Sequence, residues 1–326
     1  MATDDVRNGE EAGSPEGPTD LPRRSWFGVL KRTVREFRDD NLTDWAAALT
    51  YYAALALFPA LIVLVALVGL VGQYPETTDK LLDMVGQLGP KSAVRTLRGP
   101  IEDVVQDKGG AGTLLGVGLL GAVWSASGYV GAFIRASNAI YEVKEGRPFW
   151  KLRPLQLGLT IVMVLLAALV ALSIVATGPV ARAAGDAFGL GDASVTAFEI
   201  AKWPVIAVVV VLMFGLLYRS APNVKLPGFR WLTPGAMLAI LVWVASSAGF
   251  AVYVANFGSY NKTYGSLGAI VVFLVWLWLT NVSILLGAEL NAELERGREL
   301  ESGEPEAAEE LQLPPKDDRK LERSNA

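Results

Sequence analysis

Six stretches of the chain run almost without charge: 45–71, 111–134, 155–177, 203–218, 234–257 and 265–288. About 20 apolar residues carry a helix across roughly 30 Å of hydrocarbon. The pattern therefore predicts an all-α, polytopic membrane protein with about six spans. The fourth stretch is short at 16 residues, and an earlier start is expected if Glu199 and Lys202 pair across one turn.

Between the spans the pattern changes. Trp26, Val29, Leu30, Val34 and Phe37 recur at helical spacing in a basic segment, as in an amphipathic helix lying on the inner leaflet. In the first outer connection Leu81, Val85 and Leu88, then Val94, Leu97, Ile101, Val104 and Val105, repeat the spacing around Gly89-Pro90. Two short amphipathic helices are expected there, lying on the bilayer or capping a cavity. Residues 1–22 and 299–326 are polar and are expected to be disordered cytoplasmic tails around a membrane domain at 23–298. The start of the chain shows no basic region followed by a short apolar stretch, so no cleavable signal peptide is expected.

Charge sets the expected orientation. Arg23, Arg24, Lys31, Arg32, Arg35 and Arg38 precede the first span. Arg135, Lys144, Arg147, Lys151 and Arg153 lie between the second and third, and Arg219, Lys225 and Arg230 between the fourth and fifth. The opposite connections, 73–110, 178–202 and 258–264, hold five, two and one cations, and six acids accompany the five. Lys and Arg accumulate on the cytoplasmic side, so both termini are expected in the cytoplasm.

Polar residues inside the runs are the candidate site. At 1.5 Å per residue, Asn281 lies about 10 Å inside the end of the sixth span. There an unpaired amide costs several kcal/mol. It must meet a partner helix, as interhelical glue, or a wet cavity. Tyr51, Tyr52, Ser125, Ser127 and Ser246 lie at comparable or greater depth and with Asn281 form a candidate pathway; Thr50 is beside them in the sequence. Asp44, Arg135, Arg219 and Glu289 each fall at the cytoplasmic border of a span and form a candidate gate. The alternative for them is positive-inside bias plus a helix-capping Asp44. Glu289 is expected at the border and Glu293 in water, one turn along a solvated stalk. Trp276 and Trp278 lie mid-span and are expected to pack in the bundle or line a cavity. Pro59 predicts a kink in the first span. Gly112 and Gly116 begin a glycine-rich face on the second, a candidate packing or oligomer interface.

The chain has no Cys and no His, so His-liganded metal hydrolysis, thiol chemistry and disulfides lack their usual parts. No cofactor or metal is expected, and no nucleic-acid partner. The expected partners are membrane lipids, with a homo-oligomer or envelope proteins as further options.

The segments "AAALTYYAALALFPALIVL" (46–64), "RPFWKLRPLQL" (147–157), "LYRSAPN" (217–223), "PGA" (234–236), "YGSLGAIVVFLVWLWL" (264–279) and "LLGAELNAELE" (285–295) together resemble the YihY/BrkB family of bacterial inner-membrane proteins. The likeness covers roughly residues 25–298. It implies a helical protein of about six spans. Members have carried a ribonuclease label, and other proposals connect them with serum resistance, lipid transport and the envelope. No catalytic assignment comes with the matching residues, among them Tyr51, Tyr52, Pro59, Arg219, Pro222, Asn223, Glu289 and Asn291. The expected function is non-enzymatic movement of a lipid or envelope-related solute; a scaffold without transport is the alternative, and a membrane-bound hydrolase the third reading.

Overall fold

The computed structural model describes residues 21–71, 108–175, 192–226, 233–256 and 266–325. Helix α1 (Arg23–Asp39) is followed by α2 (Leu42–Val71), α3 (Lys108–Ile140), α4 (Phe149–Val175), α5 (Asp192–Ser220), α6 (Thr233–Asn256) and α7 (Ser266–Glu301). A single 3-10 turn (Pro305–Ala308) and a short α8 (Arg319–Asn325) close the chain. The described residues contain no strand, only one isolated bridge between Val224 and Pro315.

Five of these helices, α3 to α7, have stretches long and apolar enough to cross a membrane. Helix α2 is of similar length, but its side chains are described only as far as Ala56. The protein is an all-α polytopic membrane protein. Leu165 and Leu169 on α4, Val205 and Val208 on α5, and Leu241 and Val252 on α6 are all exposed. Exposed apolar rows on helices that are apolar all round suit a hydrocarbon surrounding rather than water. The fourth span starts earlier than its uncharged run, because α5 begins at Asp192. The expected helices at 81–105, the connection 258–264 and residues 1–20 lie outside the described residues, as do the side chain of Pro59 and its expected kink.

The core gathers at the end of the bundle that carries α1 and the C-terminal segment, the terminal end. Leu42, Ala46 and Leu49 of α2 meet Phe133, Ala136 and Ile140 of α3, Leu217 and Tyr218 of α5, Ala236 of α6, and Leu285 and Ala288 of α7. Tyr218 is stacked between Phe133 and Phe214, with centroids 6.2 and 6.1 Å away. Its hydroxyl donates to the Ile284 carbonyl at 2.8 Å, so the buried ring keeps its polar tip satisfied.

Two glycines bring α6 and α7 into backbone contact. A Cβ on Gly235 would stand 2.1 Å from the Gly287 carbonyl, and one on Gly287 would stand 2.4 Å from the Gly235 carbonyl. Asn291 exploits the closeness: its Oδ1 accepts from the Gly235 N–H at 2.9 Å, satisfying a donor at the start of α6 that the helix itself leaves open.

The C-terminal segment differs from the expected disordered tail at 299–326. Helix α7 runs on to Glu301, and the chain then folds back over the same end of the bundle. Lys225 N–H donates to the Pro314 carbonyl, Lys316 N–H to Asn223, and Lys320 N–H to Gly146. Leu311 and Leu313 pack on the main core. The segment is polar in composition, but its backbone groups are taken up by loop backbone and by buried Asn223, a gain that composition does not register.

Candidate functional site

The polar residues of the spans fall into a small uncharged group within the bundle and a charged group at the terminal end. Asn281 is 1% exposed. Its Nδ2 donates to Thr50 Oγ1 and to the Leu277 carbonyl, both at 3.0 Å, and its Oδ1 accepts from the Tyr129 hydroxyl at 2.8 Å. Thr50 passes its own proton back to the Ala46 carbonyl at 2.8 Å. One amide thus joins α2, α3 and α7 through uncharged groups. Tyr129 was missed from sequence; a Tyr well inside an apolar run, away from the interfaces where Tyr is usual, was the available signal.

The other pathway candidates stand apart from this network. Tyr52 lies against Gly128 of α3, 2.9 Å from a Cβ placed there, and Tyr51 meets it edge-on with centroids 5.4 Å apart. Tyr51 is exposed at the outer side of α2. Ser127 Oγ donates to Trp124 O at 2.6 Å, while the Ser127 carbonyl accepts from Gln156 of α4. Ser125 is half-buried on α3. Ser246 donates back along α6 to Val242 O at 2.6 Å. Trp276 donates to Ser247 at 3.2 Å and Trp278 to the Thr43 carbonyl at 3.2 Å, so both indoles reach neighbouring helices.

At the terminal end the four border residues have different surroundings. Asp44 is exposed in the first turn of α2. Arg135 is exposed with its guanidinium 6.0 Å over the Tyr52 ring. Arg219 is exposed, and its carbonyl accepts from Lys316 Nζ at 2.7 Å. Glu289 alone is buried, 1% exposed, and its Oε2 has no hydrogen-bond partner among the described residues.

The expectation that Glu293 sits in water is corrected by the structure: it too is 1% exposed. Helix α1 and the returning C-terminal segment cover what was read as a solvated stalk. Glu293 accepts from Arg32 Nε of α1 at 2.5 Å and from Arg296 Nε at 2.8 Å. Arg296 extends the network to Glu142 Oε1 at 2.9 Å and the Ala307 carbonyl at 2.8 Å. Glu142 also accepts from Leu311 N–H at 2.9 Å and holds a left-handed φ of 53° at the end of α3. That conformation costs an L-residue about 1–2 kcal/mol, and the bonds its side chain makes help to hold it. Asp40, half-buried beside this network, is pushed up to about 6 by burial first and then by the charges of Glu36 and Glu142.

A second cluster ties three loops together. Arg147, 5% exposed, pairs with Glu145 at 2.6 Å and donates to the Ala221 carbonyl at 2.8 Å. Burial would raise Glu145, but hydrogen bonds from Arg147 and Asn138 outweigh it and hold the carboxyl below its usual range. Asn138 accepts from Asn223 N–H at 2.8 Å, and Asn223 Nδ2 donates to Asp317 O at 2.8 Å. No group of three Asp or Glu stands together as a metal site among the described residues.

A helical membrane protein with uncharged polar contacts between its spans and a closely packed, charged end is the class these features define. The chain belongs to the family described as virulence factor BrkB, whose model matches residues 33–311. Among its relatives, "Putative ribonuclease-like protein YfkH" of Bacillus subtilis is 35% identical over 261 residues, covering 80% of this chain and 92% of that protein. A "UPF0761 membrane protein" of Alkalilimnicola ehrlichii is 30% identical over 273 residues, 80% of this chain but 57% of the relative. "UPF0761 membrane protein XAC0937" of Xanthomonas axonopodis pv. citri is 29% identical over 289 residues, with 86% and 63% covered. The chain thus spans about three-fifths of these two longer relatives. No solved structure matches.

Proposed function

We propose that the protein moves or admits a lipid or amphipathic envelope solute, using the seam between α2, α3 and α7. The observation that carries the reading is the Thr50–Tyr129–Asn281 junction, where three helices bring uncharged hydrogen-bonding groups to one buried point. A headgroup needs such exchangeable partners to pass hydrocarbon without leaving a polar group bare. Tyr52 lies beside this seam against Gly128 of α3, with Tyr51 edge-on to it and Arg135 over its ring. In this reading the bundle has six spans, lies in the bacterial inner membrane with both termini cytoplasmic, and acts without catalysis. Glu289, buried at the terminal end with one oxygen unpartnered, serves as part of the gate. The ribonuclease-like name belongs to the Bacillus relative, and this chain lacks His and Cys with which to build a usual zinc-dependent nuclease centre.

One observation favours a scaffold instead: both polar ends of the Asn281 amide are satisfied within the protein, as interhelical glue requires. A fluorescent-phospholipid exchange assay in proteoliposomes separates the two. Leaflet exchange above empty vesicles that falls at least tenfold in folded Asn281→Ala supports the pathway; sensitivity in Glu289→Gln supports the gate. No exchange above empty vesicles, with Asn281→Ala lowering only thermal stability, by about 1–2 kcal/mol, supports the scaffold.

A further inference from the structure

Helix α1 has two apolar faces. Val29 is fully buried and packs with Leu290 and Leu294 of α7, with Trp26 alongside. Phe27, Leu30 and Val34 point elsewhere and are 74%, 48% and 55% exposed. This outward row leads into a groove of about 440 Å³ between α1, the start of α2 and α7. Its walls are Val34, Phe37, Val282 and Leu286, and its polar groups are Arg38 and Thr43.

The cations of α1 divide in the same way. Arg32 is committed to Glu293, and Arg35 to Glu36 with Asp39 nearby. Lys31 and Arg38, both exposed, make no ion pair among the described residues. Phe27, Lys31, Val34 and Arg38 are spaced four, three and four apart, which puts them on one side of the helix. Apolar and cationic positions therefore alternate along the outward face and end at the groove. Asp39 and Asp40 follow Arg38 and Asp44 follows Thr43, so the attraction at the groove comes from the Arg38 guanidinium itself and not from a net positive field.

We infer that this groove is a binding site for an anionic phospholipid, with an acyl chain against Val34, Phe37, Val282 and Leu286 and the phosphodiester at Arg38. The groove has the volume of an ordinary small-molecule site and an apolar wall with few polar groups. Its Arg38 guanidinium, without an ion pair among the described residues, suits the single negative charge of a phosphodiester. Occupation joins the outward face of α1 to the last turns of α7 before Glu289. The site does not rest on lipid being transported: it requires only a bilayer around the spans.

Native mass spectrometry of the full-length protein from detergent, titrated with phosphatidylglycerol or phosphatidylcholine, tests it. The wild type should retain phosphatidylglycerol preferentially. Arg38→Gln should weaken phosphatidylglycerol about fivefold, the value of one interfacial cation, while Arg38→Lys keeps most of it. Val34→Asn should weaken both lipids together, and Lys225→Gln, an exposed cation elsewhere on the same end, should change neither. Equal retention of the two lipids by the wild type overturns the proposal, and so does an unchanged preference in Arg38→Gln. Full competition by glycerol 3-phosphate, which has no chain, also overturns it, because the groove would then take no part.

Discussion

Asn281 and Glu289 lie about two turns apart on α7 and have opposite surroundings. The amide has a partner for every polar atom, on three helices. The carboxyl is equally buried but leaves Oε2 bare. Nearby Asp40 lies outside the spans, and its pH dependence can be worked out. Its carboxyl is pushed up to about 6 by burial, Glu36 and Glu142, with Arg296 opposing. The folded state therefore holds this proton more tightly than the unfolded chain, and Asp40 adds stability as pH falls from about 7 towards 4. At neutral pH its charge is a burden. Asp40→Asn should stabilise the protein at pH 7.5 by on the order of 1 kcal/mol, with the gain shrinking by pH 4.5. Thermal unfolding of both proteins at the two pH values checks this; a gain unchanged with pH would refute the assignment.

At the scale of elements, α7 organises the terminal end. It meets α2 and α3 through Asn281, α5 through the Ile284 carbonyl, α6 through Gly287 and Asn291, and α1 through Glu293. The "PGA" and "LLGAELN" segments, distant in sequence, are one contact: two glycines at backbone distance and an amide on the first turn of α6. Gly235→Ala or Gly287→Ala should cost roughly 2–3 kcal/mol or prevent folding, since the atoms in the way include backbone. Gly249→Ala on α6, with open space around it, should be neutral or better because Ala favours helix. Melting of the three variants in detergent tests the contrast; equal stabilities would mean that α6 and α7 do not touch in this way.

At the scale of the whole molecule, α1 and the C-terminal segment are fastened to one end of the bundle. Helix α1 is held by Arg32–Glu293. The C-terminal segment is held by Asn223, Glu142, Arg296 and Lys316. The Lys316 ammonium sits between the Arg219 and Pro222 carbonyls although its stem is exposed, and burial, then Arg147 and Arg219, lower it to about 8. Truncation after Glu301 removes these bonds together and leaves the Glu142, Asn223 and Arg296 partners open. The expected loss is on the order of 3 kcal/mol, with faster hydrogen exchange at 141–148 and 220–225. Unchanged exchange in those loops would show that the segment only rests on the surface.

Much of this architecture follows from residue pattern alone. Uncharged runs of span length have few ways to exist other than as membrane helices, because hydrocarbon forbids an unpaired backbone. The same constraint marks Asn281 as a residue that must find partners. Which partners it found, Thr50 and Tyr129 rather than Ser125, Ser127 or Ser246, depended on the rotation and register of three helices, which uniformly apolar sequences do not encode. The sequence pattern puts Glu293 in water on a solvated stalk because charge density usually means water. Burial of Glu293 was decided by α1 and the C-terminal segment packing against α7. Both are polar in composition, and α1 is also far from α7 along the chain, so their packing appears only once the chain is folded.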